Sequence, residues 1–130
     1  MKATEILKKQ HDFFHSGNTL PVKSRIEGLK KLRNILKDNE PYLYDAIDKD
    51  FGKSEYETYI TELSLIYHEI NLAIKKVRKW ARPKYVWTNL ANFPGKSRVI
   101  PEPFGNTLVI GAWNYPYQLS LIPAISSLAA

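Results

Sequence analysis

The stretch from Val109 to Ala130, VIGAWNYPYQLSLIPAISSLAA, constrains the fold more than any other part of the chain. It carries no charged residue, and the last one before it is Glu102. Leu108-Val109-Ile110 begins as a β-type apolar run and Gly111 breaks it. Trp113, Asn114 and Tyr115 then stand in front of Pro116, and an apolar helical pattern follows. A strand that ends in a turn holding one polar amide, and then opens a buried helix, places that amide at the carboxyl end of the strand. Open α/β sheets build their active sites there. A side-chain amide in that position can donate to a developing oxyanion.

A chain of 130 residues is one domain or a piece of a larger one. With 44% hydrophobic and 25% charged residues it is a globular composition, not a disordered one. Cysteine is absent, which excludes a disulfide framework, fits a reducing compartment and leaves no thiol nucleophile in the stretch. The start, MKATEILKKQ, alternates charge with apolar residues and has no continuous apolar region of the signal-peptide kind, so a cytoplasmic location is expected. The net charge of +6 is concentrated at Lys75, Lys76, Arg78, Lys79, Arg82 and Lys84. Such a cluster suits nucleic acid or an anionic membrane. It equally suits a solvated helix end, where the macrodipole favours basic residues, and that plainer reading is preferred. His11, His15 and His68 show no metal-ligand spacing.

The spacing of apolar residues predicts a mainly helical first part. Ala3, Ile6, Leu7, Gln10, Phe13 and Phe14 share one face of a helix over 2–15, stopped by Ser16-Gly17-Asn18. A second helix starts near Pro21 with Thr19 as candidate N-cap, its stripe being Val22, Ile26, Leu29, Leu32 (or Arg33) and Leu36. Asn39-Glu40-Pro41 interrupts it. The pattern resumes through Leu43, Ala46, Ile47 and Asp50 until Gly52. Ser54 and Glu57 form a capping box opening the longest helix, about 55–81. Its stripe is Tyr59, Leu63, Ile66, Ile70, Ala73, Val77 and Trp80, and Arg82-Pro83 ends it. Glu62 on this helix is expected to be solvated or salt-bridged rather than catalytic. Prolines and glycines punctuate residues 84–107. There Ser97–Ile100 reads as a short strand, Pro103–Asn106 as a turn and Thr107–Ile110 as a buried strand, with a hairpin between 97–102 and 107–110. The expected organisation is a helical part over 1–82, a Pro/Gly-rich β connection over 83–106, and the start of a second domain over 107–130.

The octapeptide VIGAWNYP followed by PAISSLAA resembles the motif after which aldehyde dehydrogenases place their cofactor domain. RIEGLKKLRNILKDNEPYLYDAIDKDFGKSEYETYITELSLIYHEI is similar to the N-terminal helical layer of the class 3 branch, which acts on fatty and aromatic aldehydes. KSRVIPEPFGNTLVIGAWNYP matches that branch's approach to its active site, including a P-x-P-x-G turn. The similarity runs from about residue 20 to the last residue. It implies an α/β fold in which the helical layer and a short β segment lead into the first strand and helix of a truncated, Rossmann-like NAD(P)-binding domain. It implies oxidation of an aldehyde to an acid with NAD or NADP through a cysteine thiohemiacetal, a homodimer at full length, and neither metal nor nucleic acid.

The resemblance also assigns roles. Asn114 would donate to the oxyanion, together with the main-chain N–H of a cysteine lying outside this stretch. Alternatively Asn114 caps the helix at Tyr115-Pro116 with its side-chain oxygen. Both can coexist, since the amide has a donor end and an acceptor end. Ile110, Gly111, Ala112 and Trp113 would run beside the cofactor's ribose and nicotinamide, or are simply strand end and core. Tyr115 would line an aldehyde tunnel, or is a buried aromatic. The glycine-rich turn, general-base glutamate and nucleophilic cysteine of the family have no counterpart here, and Ile125–Ala130 reads as an apolar helix without a cap, so the chain is expected to stop inside a domain and to be inactive alone. The competing reading is a membrane-anchored basic helical module. Pro103–Ala130 is long enough to span a bilayer and basic residues precede it. Asn114, Pro116 and Pro123 count against a lipid-facing helix.

Overall fold

The structure, a computed structural model, describes residues 2–130. Helices α1 (Ala3–His15), α2 (Val22–Asp38), α3 (Glu40–Phe51), α4 (Glu55–Thr58) and α5 (Ser64–Trp80) lead into strands β1 (Lys84–Val86) and β2 (Ser97–Val99), and α6 (Pro116–Ala129) follows. The apolar stripes read from the sequence are what pack. Leu29 and Leu36 of α2, Leu63, Ile66, Tyr67, Ile70 and Ala73 of the long helix, and Ile125 and Ala129 of α6 form one core. The uncharged helix α6 therefore lies on α2 and α5. α3 ends as expected at Gly52, whose φ of 65° is left-handed backbone that a side chain disfavours.

The long helix departs from the simple reading. A π-helical turn, Tyr59–Leu63, joins α4 to α5, and the Ser64 N–H reaches back five residues to the Tyr59 carbonyl. Two hydroxyls accompany it: Thr61 Oγ1 donates to the Glu57 carbonyl at 2.7 Å and Ser64 Oγ to the Ile60 carbonyl at 3.1 Å. Side-chain hydroxyls that take i−4 carbonyls compete with the backbone ladder and admit such a turn. At the start of α4, the Ser54 hydroxyl accepts from the Glu57 N–H at 3.2 Å. Tyr59 and Trp80, placed on the stripe, are 43% and 47% exposed, so the buried face runs from Leu63 to Val77.

Other expectations are corrected. Thr19 does not cap α2, whose N-cap is Pro21 with no side-chain bond. β2 pairs antiparallel with β1, Lys84 opposite Val99 and Val86 opposite Ser97, rather than with 107–110. The Thr88 hydroxyl locks that hairpin by accepting from the Ser97 N–H at 2.8 Å. Residues 107–110 form no strand and are not buried, Leu108 and Ile110 being 86% and 85% exposed. The reason is that among the described residues no other strand lies beside them, and an extended segment becomes a strand only when a neighbour takes its N–H and C=O groups. The end of α6 is not without a cap, because Arg25 Nη1 donates to the carbonyls of Ala129 at 3.0 Å and Ala130 at 2.7 Å. Among the described residues no helix is long and apolar enough to cross a membrane, since Pro103–Tyr115 is not helical.

Glu40, at the start of α3, ties that helix to α5. Its carboxylate accepts from Tyr67 Oη at 2.6 Å and from Tyr44 Oη at 3.2 Å. Burial, then the Glu40 charge and hydrogen bond, push the Tyr44 phenol up to about 12, and burial with the same carboxylate raises Tyr67 further. A raised phenol contributes stability that is complete below its ordinary value of 10.0 and is lost as pH rises through about 12. Unfolding free energy is therefore expected to fall across that window, and less steeply in Tyr44→Phe. Denaturant titrations from neutral to alkaline pH check this, and an unchanged slope in the variant would contradict it.

Candidate active site at the start of α6

Pro116 occupies the first helical position of α6, and proline has no N–H. The first backbone donors of the helix that need an acceptor are therefore those of Tyr117 and Gln118. The N-cap residue is Tyr115, and no side chain of the adjoining segment serves them. The acceptor comes from the π turn instead. Glu62 Oε2 accepts from the Tyr117 N–H at 2.8 Å and the Gln118 N–H at 3.2 Å. A carboxylate suits that place because it meets the positive end of the helix dipole. The extra residue of the π turn keeps Glu62 on the buried side together with Leu63, and its side chain is fully buried.

A buried carboxylate requires a partner. Lys53, directly after the left-handed Gly52, supplies it with Nζ at 3.6 Å from Glu62 Oε1 and a side chain only 14% exposed. The same ammonium donates to the main-chain carbonyl of Asn114 at 3.0 Å. It also lies over the Tyr115 ring, 4.1 Å from the centroid, and over Phe51 at 5.4 Å. One lysine thus holds the residue before the N-cap by its carbonyl and the N-cap residue by its ring.

Asn114 sits in the turn just before the helix with an exposed side chain that makes no hydrogen bond to the described residues. The cap reading of Asn114 is therefore corrected: Glu62 takes the donors an asparagine cap would serve. Gly111 lies against Ser120 of α6, where a Cβ would collide with Ser120 Oγ and approach its backbone nitrogen to 3.3 Å. Ile110, Gly111, Ala112 and Trp113 form an exposed run whose backbone makes no hydrogen bond among the described residues, so the alternative of strand end and core does not describe them here. Tyr115 is half-exposed, one face covered by Lys53. The expected site residues are therefore contiguous and open on one side. An open groove of about 570 Å³ between α1, α2, α6 and residues 103–109 contains none of them.

Lys53 and Glu62 were not among the expected site residues. Of the two outcomes expected for Glu62, the salt bridge is correct and solvation is not. A signal was present: Glu62 is three residues after Tyr59 and four before Ile66, which puts a charge on the apolar face. The basic cluster at 75–84 lies at the exposed end of α5 and the first residue of β1, away from this site. Among the described residues no group of three or more candidate ligands could hold a metal ion.

The family model described as the aldehyde dehydrogenase family matches residues 1–130. Over 126 residues the chain is 38% identical to mouse aldehyde dehydrogenase family 3 member B3, covering 97% of this chain and 26% of that protein. It is 36% identical to family 3 member H1 of Arabidopsis thaliana, covering 99% of this chain and 27% of the other. The fold superposes on a solved structure of the substrate-bound state of Staphylococcus aureus AldH with a TM-score of 0.92 at 35% identity, covering 99% of this chain and 28% of that one. The chain thus spans about a quarter of the length of the proteins it matches.

Proposed function

The chain belongs to the aldehyde dehydrogenase family, and from that premise we propose that it forms the N-terminal part of an NAD(P)-dependent enzyme that oxidises an aldehyde to a carboxylic acid. The observation that carries this reading is the Asn114 amide, exposed before α6 and relieved of capping duty by Glu62. A cysteine thiolate from the rest of the polypeptide attacks the aldehyde carbon, and negative charge gathers on its oxygen. The Asn114 side-chain N–H donates to that oxygen, which lowers the barrier because the charge is absent from the bound aldehyde and develops in the transition state. The exposed, hydrogen-bond-free main chain of Ile110–Trp113 fits a nicotinamide cofactor, offering it unpaired N–H and C=O groups. When bound, the cofactor would supply a hydride acceptor for that carbon; loss of the hydride leaves a thioester on the cysteine, and water hydrolyses it to release the acid and the free thiolate. Tyr115 presents an aromatic edge to an apolar substrate beside Asn114.

The test is expression of the full-length polypeptide that carries this sequence and measurement of aldehyde-dependent NADH or NADPH formation. None at any aldehyde tried, from short aliphatic to aromatic, would refute the reading. Residues 1–130 alone contain no cysteine and leave Trp87, Leu108, Ile110 and Trp113 uncovered. Expressed by themselves they are expected to form no reduced cofactor and to self-associate through those side chains. A monodisperse, catalytically active preparation of residues 1–130 would contradict this.

A further inference from the structure

The Lys53–Glu62 pair does more than satisfy a buried helix start. Glu62 fixes where α6 begins through two N–H groups, and Lys53 fixes the backbone just before it through the Asn114 carbonyl. Residue 114 is thereby held from both sides. The peptide plane that carries the Asn114 carbonyl meets an ammonium at 3.0 Å, and the next side chain, Tyr115, stacks under that same ammonium. The Asn114 side chain makes no hydrogen bond of its own to the described residues, so its direction follows from the backbone and the rotamer alone. Two observations indicate that the pair is built for this. It rests on a π turn and a left-handed glycine, both local departures from regular helix that bring Glu62 and Lys53 to the same point. Moreover, Glu62 Oε1 accepts no hydrogen bond, leaving Lys53 as its counter-ion at 3.6 Å, so the carboxylate and the lysine hold each other in place.

We propose that Lys53 and Glu62 are positioning residues of the reaction: together they set the backbone at Asn114 and so aim its amide at the developing oxyanion. This rests on the oxyanion role given to Asn114 above. Neither residue touches the reacting atoms, so the pair acts on turnover only through Asn114. A displacement of about 1 Å in a catalytic group lowers rate by up to about 10²-fold without abolishing binding.

The experiment is a double-mutant cycle in the full-length polypeptide. Lys53→Met with Glu62→Gln replaces the pair by neutral groups of similar size, which spares the fold the uncompensated charge that a single removal leaves. The paired variant is expected to lose about 10- to 100-fold in kcat, with KM and melting temperature close to wild type. In the Asn114→Ala background the same paired change should cost about twofold or less, because residues that act through one another are not additive. Lys53→Arg, which keeps charge and donors, should retain most of the turnover. Should the paired variant fail to fold, Glu62→Asp takes its place, since it keeps the charge facing Lys53 and only draws the acceptor back from the two N–H groups by one methylene. A loss as large in the Asn114→Ala background as in wild type, or no loss in the paired variant while Asn114→Ala is impaired, overturns the positioning role and leaves the oxyanion role intact. An unimpaired Asn114→Ala enzyme overturns the oxyanion role itself, and the positioning role with it.

Discussion

Asn114→Ala in the full-length polypeptide is expected to lower kcat by about 10²–10³-fold, or about 3–4 kcal/mol of transition-state stabilisation. The loss should fall on kcat, because the charge to which the amide donates appears only after nucleophilic attack. The cost in folding stability should stay within about 0.5 kcal/mol, as for an exposed side chain that caps nothing. Asn114→Asp is the sharper variant. It is nearly isosteric, yet it presents an acceptor and a negative charge where a donor is needed, so its kcat should fall at least as far. Steady-state kinetics and thermal unfolding of both variants check this together. An Asp variant of near wild-type turnover would remove Asn114 from the chemistry.

Ile70→Ala is expected to do the opposite. Ile70 is fully buried where α5 meets α2 and α6, and truncation there should lower unfolding free energy by about 2–5 kcal/mol, the range for a cavity that its neighbours only partly fill. The folded enzyme that remains should turn over at close to the wild-type rate, since the helical layer supplies support and not reacting groups. Chemical denaturation beside kcat per folded molecule separates the two effects. A large drop in kcat at unchanged stability would show that the layer takes part in the chemistry.

The helices were legible because burial repeats at helical spacing: the stripe from Leu63 to Val77 and the breaks at Pro41, Gly52 and Pro83 mark real boundaries. The motif around Asn114 was legible for a different reason, as a polar amide between an apolar run and a proline. What could not be read has a physical cause in each case. Pairing of β1 with β2 depends on which edges meet in space, and the three-residue strands carry too little alternation to declare a partner. The 107–110 run has β character, but pairing belongs to two strands and the sequence of one cannot supply it. The π turn left one trace, a glutamate on an apolar face. Its partner is nine residues earlier, and the helix end it serves is more than fifty residues later. No window of local spacing joins three such points.

The two ends of α6 are held by side chains of opposite sign, Glu62 at its first N–H groups and Arg25 at its last carbonyls. The helix itself has no charge, and its apolar residues are spread around it, so hydrophobic packing alone distinguishes poorly between the two directions in which it could lie on α2 and α5. The two charges remove that ambiguity. Laid down backwards, α6 would set a carboxylate against carbonyl oxygens and a guanidinium against N–H groups, two repulsions in place of two attractions. The N-terminal helices thus act as a polarised cradle. They fix the heading of the chain along α6, and with it the side of the molecule on which the Asn114 turn opens.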